Sequence, residues 1–164
     1  MSKELPGQLS IPGIPEPEPT QLATSAPLPS GEMMESVFGP LSGRSMHNFK
    51  GKPEEVWRMV AKATGPAAMP GSTLGDKAID LEYWYAHVVQ LQGDSNGEIV
   101  EQTRVVLFDR SGDCYSWVSA GMVMELGTII QAFGFGPYKK DGPKFRVQQV
   151  QTGNKRRTYK IVPV

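Results

Sequence analysis

Cysteine is almost missing from this chain. Cys114 is the only one in 164 residues, so no intramolecular disulfide can form and a reducing, cytoplasmic location is expected. Histidine is nearly as scarce. His47 and His87 stand far apart, with no second cysteine to complete a zinc-ligand spacing, so no metal is expected. No apolar run is long enough to cross a bilayer, and the N-terminus lacks the apolar core of a signal peptide. Enzyme signatures are missing too. There is no glycine-rich phosphate loop of the Walker type, and Gly134-Phe135-Gly136 follows a helical stretch rather than a strand. Asp109, Asp113 and Glu125 are scattered near turns and read as surface solubilisers. Ser119 and Cys114 have no base nearby in sequence. A non-catalytic chain without a cofactor is expected.

Net charge is also absent, but only in the sum: 17 basic residues balance 17 acidic ones. Residues 1–35 hold five acids and one base, a net of −4, whereas from Lys139 onward eight bases face one acid, a net of +7. Such asymmetry fits contact with nucleic acid, and it also fits an ordinary solvated face. Residues 1–31 contain no aromatic residue and are rich in Pro, Gly, Ser and Thr. They cannot bury enough apolar surface to offset the entropy of ordering, so residues 1–35 are expected to form a disordered, proline-rich acidic tail. Three roles fit it: an inert tether, a docking peptide, or an acidic competitor for the basic face. Residues 36–164 are expected to form one domain.

What is present is a series of well-punctuated elements. Pro53-Glu54-Glu55 opens a helix, with proline at the first position and acids in the first turn. Val56, Trp57, Val60 and Ala61 are expected on its apolar face, and Gly65-Pro66 ends it. Residues 65–73 read as a loop. Alternation predicts a strand over 78–91, with Ile79, Leu81, Tyr83, Tyr85 and Val89 on one face and Asp80, Glu82, Trp84 and Ala86 on the other. Turn residues then separate strands over 98–109 and 114–119. Val123, Leu126, Ile130 and Phe133 make a core-facing stripe on a helix over 120–133, between Ser119 and Gly134. Two last strands, 144–151 and 156–162, form a hairpin around Thr152-Gly153-Asn154.

The order β-β-β-α-β-β is that of a five-stranded Greek-key barrel of the OB type. The expectation is therefore a mainly β fold with an extra N-terminal helix, well suited to hold an unpaired polynucleotide. Such a ligand offers a charged backbone and exposed base faces, so a binder needs cations along a groove and flat rings on which bases stack. The fold would place Arg104, Phe108, Tyr115 and Trp117 on the second and third strands. Trp84, set among acids, is expected at the surface. Lys139, Lys140, Lys144 and Arg146 follow the second helix, and Lys155, Arg156 and Arg157 sit at the last hairpin's tip. Tyr115 and Trp117 fit the barrel interior equally well.

The stretch GEIVEQTRVVLFDRSGDCYSWVSAGMV, residues 97–123, resembles the central block of phage-type single-stranded DNA-binding proteins. PKFRVQQVQTGNKRRTYKIVPV, residues 143–164, is similar to their closing hairpin. The likeness spans roughly residues 47–164. It implies coating of displaced single-stranded DNA during phage replication or recombination, in the bacterial host cytoplasm, with stacking by Tyr115 and more loosely by Tyr83 or Tyr85. Cellular members of this class recruit partners through an acidic C-terminal tail. Here the acidic segment lies at the other end, so replication or recombination proteins would have to dock on the N-terminal tail. The reading from another class is a non-catalytic β-barrel module for protein interaction or virion assembly.

Overall fold

In the computed structural model the described residues are 45–93, 97–153 and 155–164. They form β1 (Ser45–His47), α1 (Pro53–Thr64), β2 (Met69–Pro70), a 3-10 turn (Gly71–Leu74), β3 (Ala78–Gln92), β4 (Ile99–Asp109), β5 (Cys114–Val118), α2 (Ala120–Phe133), β6 (Lys144–Gln151) and β7 (Arg157–Pro163). From β3 onward this is the expected order. The stretch expected to be a loop holds β2, which pairs in parallel with β5 through Met69 and Tyr115 and through Pro70 and Ser116. Proline is tolerated there because β2 lies at the sheet's edge. The acidic tail and the start of the expected domain, residues 1–44, lie outside the described residues.

The strands make a mainly β, curled open sheet, a half-barrel, in the order β2-β5-β4-β3-β6-β7, with β1 also on β3. β3 produces the curl by serving two neighbours. Ala78, Ile79 and Asp80 pair with β6, and from Leu81 onward β3 pairs with β4. A bulge lies at the handover. Leu81 faces Asp109 while Tyr83 faces Phe108, so Glu82 is the extra residue. An inserted residue exchanges the two faces of everything beyond it. Ile79 and Leu81 point inward before the bulge; Trp84 and Ala86 do so after it, all fully buried. The strict alternation expected for this strand is corrected accordingly.

Apolar residues are buried on both sides of the sheet. The inner core gathers Ile79, Leu81, Trp84, Leu107, Trp117 and Phe145, and α2 closes it with Met122, Leu126 and Ile129. Phe133, expected in that stripe, is exposed, with its ring in a T-shaped arrangement with that of Tyr138. No ladder joins β5 to β7 among the described residues. Side chains fill that seam instead. Trp117 lies edge-on to Tyr159, with ring centroids 6.4 Å apart. Gly71 packs so closely on the Trp117 indole that a Cβ there would sit 1.9 Å from it, and Gly121 packs likewise on Thr158.

On the outer face, α1 covers Tyr85, Val106, Phe108 and Cys114 with Val56, Met59, Val60 and Ala63. These four recur at three- and four-residue spacing, the period of one helix face. The expected face, which included Trp57 and Ala61, is rotated from the real one, and Trp57 stands 70% exposed. The helix start is fixed by Glu55, whose Oε2 accepts the Lys52 amide at 2.9 Å.

Candidate nucleic-acid interface

The four aromatic residues expected to stack bases are all interior. Tyr115, the most accessible of them, shows 5% of its surface. Trp84, Tyr115 and Trp117 belong to the inner core. Trp84 is turned inward by the bulge, and its indole Nε1 donates to the Phe135 carbonyl at 3.2 Å. Phe108 does face outward, but α1 lies over it and Phe49 packs edge-on at 5.3 Å. Burying such a ring is worth about 1.5–3 kcal/mol, so none of the four is available to a base.

The cations are placed as expected but fall into two groups. Lys139, Lys140, Lys144 and Arg146 are exposed in the loop before β6 and on its first turn of strand. Lys155, Arg156 and Arg157 are exposed at the far end of the β6–β7 ladder, which runs from Phe145 opposite Pro163 to Gln151 opposite Arg157. Arg104 sits near that second end. It lies opposite Val118 on β5, and Gly121, a little further along the chain, abuts Thr158 next to Arg157. Its guanidinium is half-buried and donates to Ser116 Oγ at 3.1 Å. The ion pairs found among the described residues engage Lys77 with Asp113, and Arg110 with Asp80 and Glu82. None involves the seven exposed cations just named.

A further cationic region went unseen in the sequence. An open cleft of about 380 Å³ lies between α1 and the sheet, lined by Phe49, Lys50, Glu55, Arg58, Met59, Lys62 and Tyr83. Its signal was the run Lys50, Lys52, Arg58, Lys62, masked in a charge count by Glu54 and Glu55. The turn between β4 and β5 links it to the first cation group. Lys62 Nζ donates to the Gly112 carbonyl, and Arg110 donates to the Lys139 carbonyl at 2.6 Å.

Asp109 organises that turn. Its carboxylate accepts from the Asp80 amide at 2.7 Å, the Ser111 amide at 3.0 Å and the Ser111 hydroxyl. Burial alone would raise its pKa, but these hydrogen bonds outweigh it and hold the carboxyl below its ordinary value. Lys77 does the same for Asp113. Burial holds His47 and His87 below the usual histidine range, and Arg104 adds to this for His87. Among the described residues, no group of three or more His, Cys, Asp or Glu is placed to hold a metal ion.

All these shifts have one sign: the unfolded chain binds more protons in acid than the folded one. The histidine contribution is present above pH 6.5 and is lost as pH falls below that value. The carboxylate contribution is present above pH 3.8 and is lost as pH falls through the lowered folded values. The urea midpoint is therefore expected to be flat from the histidine range up to pH 9.0, to fall above it because burial raises the Cys114 thiol, and to decline in two stages on acidification. A His47→Gln/His87→Gln double variant should lose only the first stage.

No protein-family model, no curated protein and no solved structure matches the chain. Among the described residues no helix is long and apolar enough to cross a membrane.

Proposed function

We propose that this protein is a sequence-tolerant, non-catalytic binder of single-stranded DNA that protects displaced strands in phage replication or recombination. The observation that carries the reading is the set of exposed cations without carboxylate partners among the described residues, around the outer wall of a curled sheet. Phosphates need such cations, and an evolved solvated face more often interleaves them with acids. The strand order supports an OB-type barrel, with β3 to β7 as its five strands. The first strand is shared between the second and the fourth, and the seam between the third and fifth is closed by packing. The likeness of residues 97–123 and 143–164 to phage-type single-stranded DNA-binding proteins points the same way.

A labelled dT oligomer should show an anisotropy rise with this protein that a duplex of equal length does not, and the rise should reverse with added salt. Trp57, the one exposed indole of the three, provides a second readout. One observation favours the other reading, an assembly module. Beyond the reach of β5, the β3–β4 ribbon exposes Leu91, Ile99 and Val100. A protein of that kind would leave the oligomer's anisotropy unchanged at every salt concentration.

A further inference from the structure

We infer that the cleft between α1 and β3 is a slot for one nucleotide of an unpaired polynucleotide, its base against Tyr83 and its flanking phosphates on Lys50 and Arg58. This rests on the single-stranded DNA-binding reading above. The path of the ligand follows first from exclusion. α1 lies across the outer face of β4 and β5, over Val106, Phe108 and Cys114. A polynucleotide cannot cross the sheet there, and the opening beside that obstruction is the cleft along the other flank of α1.

The floor of the cleft is apolar and fixed in place. Phe49 stacks on Tyr85 with centroids 6.1 Å apart and planes 3° from parallel. Tyr83 packs edge-on to Phe49 at 5.8 Å and stays partly open to solvent. Met59 adds a soft, adaptable surface. Such a floor suits a flat ring and, apart from the Tyr83 hydroxyl, carries no group to read a base edge. Sequence tolerance follows from that.

The rim supplies the charge. The side chains of Lys50 and Arg58 have no hydrogen bond or ion pair with any described residue. The carboxylate of Glu55, the one acid in the lining, is committed to the Lys52 amide. Lys62 is committed to the Gly112 carbonyl. The lining thus carries three cations, Lys50, Arg58 and Lys62, against the single carboxylate of Glu55, and this net positive charge makes an anion the complementary occupant. A volume of about 380 Å³ lies within the range of about 300–1,000 Å³ usual for small-ligand clefts. A duplex keeps its bases stacked and paired, so only an unpaired strand can present one here.

The test uses the full-length protein, a labelled dT oligomer and a salt series. Lys50→Glu/Arg58→Glu should bind about tenfold more weakly at low salt, with a log–log salt slope smaller by about 1.4, the value for two lost contacts to a single strand. Tyr83→Leu should bind about 5- to 150-fold more weakly with its slope unchanged, as expected for a lost stack. The charge-reversal pair breaks no hydrogen bond or ion pair among the described residues and adds only a mild like-charge contact with Glu54 and Glu55 on α1, so a nearly unaltered melting curve is expected for it. Normal binding by that pair, alongside weakened binding by Lys144→Glu/Arg146→Glu, would overturn the slot and leave the general reading intact. Tighter binding by the pair would also overturn it, by showing that the cleft holds the chain's own acidic segment. No binding by the unaltered protein would remove the slot and the general reading together.

Discussion

Trp84→Ala is expected to destabilise the protein by about 3–5 kcal/mol, the range for removing a fully buried large aromatic residue. Folded domains of this size hold only about 5–15 kcal/mol in total, so the variant should be marginal near body temperature. The size of the effect follows from where the ring sits. Trp84 has no exposed surface, meets Phe135 edge-on at 4.9 Å, and donates to the Phe135 carbonyl. Its backbone amide donates to Asn48 Oδ1 at 2.8 Å, which ties the chain before α1 to the middle of β3. Trp84→Phe keeps most of the packing and removes the indole N–H from the Phe135 carbonyl and the Tyr138 hydroxyl, so a smaller loss of about 1–2 kcal/mol is expected. Urea denaturation followed by circular dichroism measures both. A stacking residue on the surface would behave in the opposite way: truncation would change stability by no more than about 0.5 kcal/mol and oligonucleotide affinity would fall. That outcome for Trp84 would contradict its placement in the core.

The same residue shows how far the sequence could be read. The order of elements was legible because each boundary carries local chemistry. Pro53 starts α1, the 109–113 turn separates β4 from β5, and Gly134, with a φ of +77°, ends α2. Which face a residue takes was not legible in β3, because Glu82 as a bulge residue looks like any outward-facing acid. Register is a property of the pair of strands, and the pairing of Leu81 with Asp109 and Tyr83 with Phe108 is not written in either one alone. Nor could alternation reveal that the outer face would be covered. Phe108 was rightly placed outward and still lies buried, because α1, distant in sequence, packs on it. The Trp57 misreading has the same origin. Two overlapping stripes of similar hydrophobicity run along α1, and only the sheet selects the one containing Met59 and Ala63. The cations were easier. Long charged side chains seldom lose contact with water, so composition alone placed Lys139 to Arg146 and Lys155 to Arg157 at the surface.

Among the charge reversals, changing Lys139, Lys140, Lys144 and Arg146 together to glutamate should produce the largest loss of oligonucleotide affinity. Four contacts to a single strand contribute about 2.8 to the log–log salt slope, which over a fourfold rise in salt amounts to a change in affinity of about 50-fold. Removing them should therefore flatten the salt dependence as well as weaken binding, and the two effects check each other. A variant that bound weakly but kept the full slope would have lost a shape or stacking contact, not phosphates. The comparison with Lys155→Glu/Arg156→Glu/Arg157→Glu locates the path. These residues stand at the opposite end of the β6–β7 ladder, and Arg104 belongs to their end of the sheet. A strand running from the α1 cleft across the 109–113 turn to the base of β6 would need the first group and leave the tip triad nearly indifferent. A strand wrapping the half-barrel from end to end would need both groups, and each set of reversals would remove its own share of the slope. If neither set moved the slope, electrostatic attraction to phosphate would not hold the complex, and the exposed ribbon at Leu91, Ile99 and Val100 would become the surface to explain.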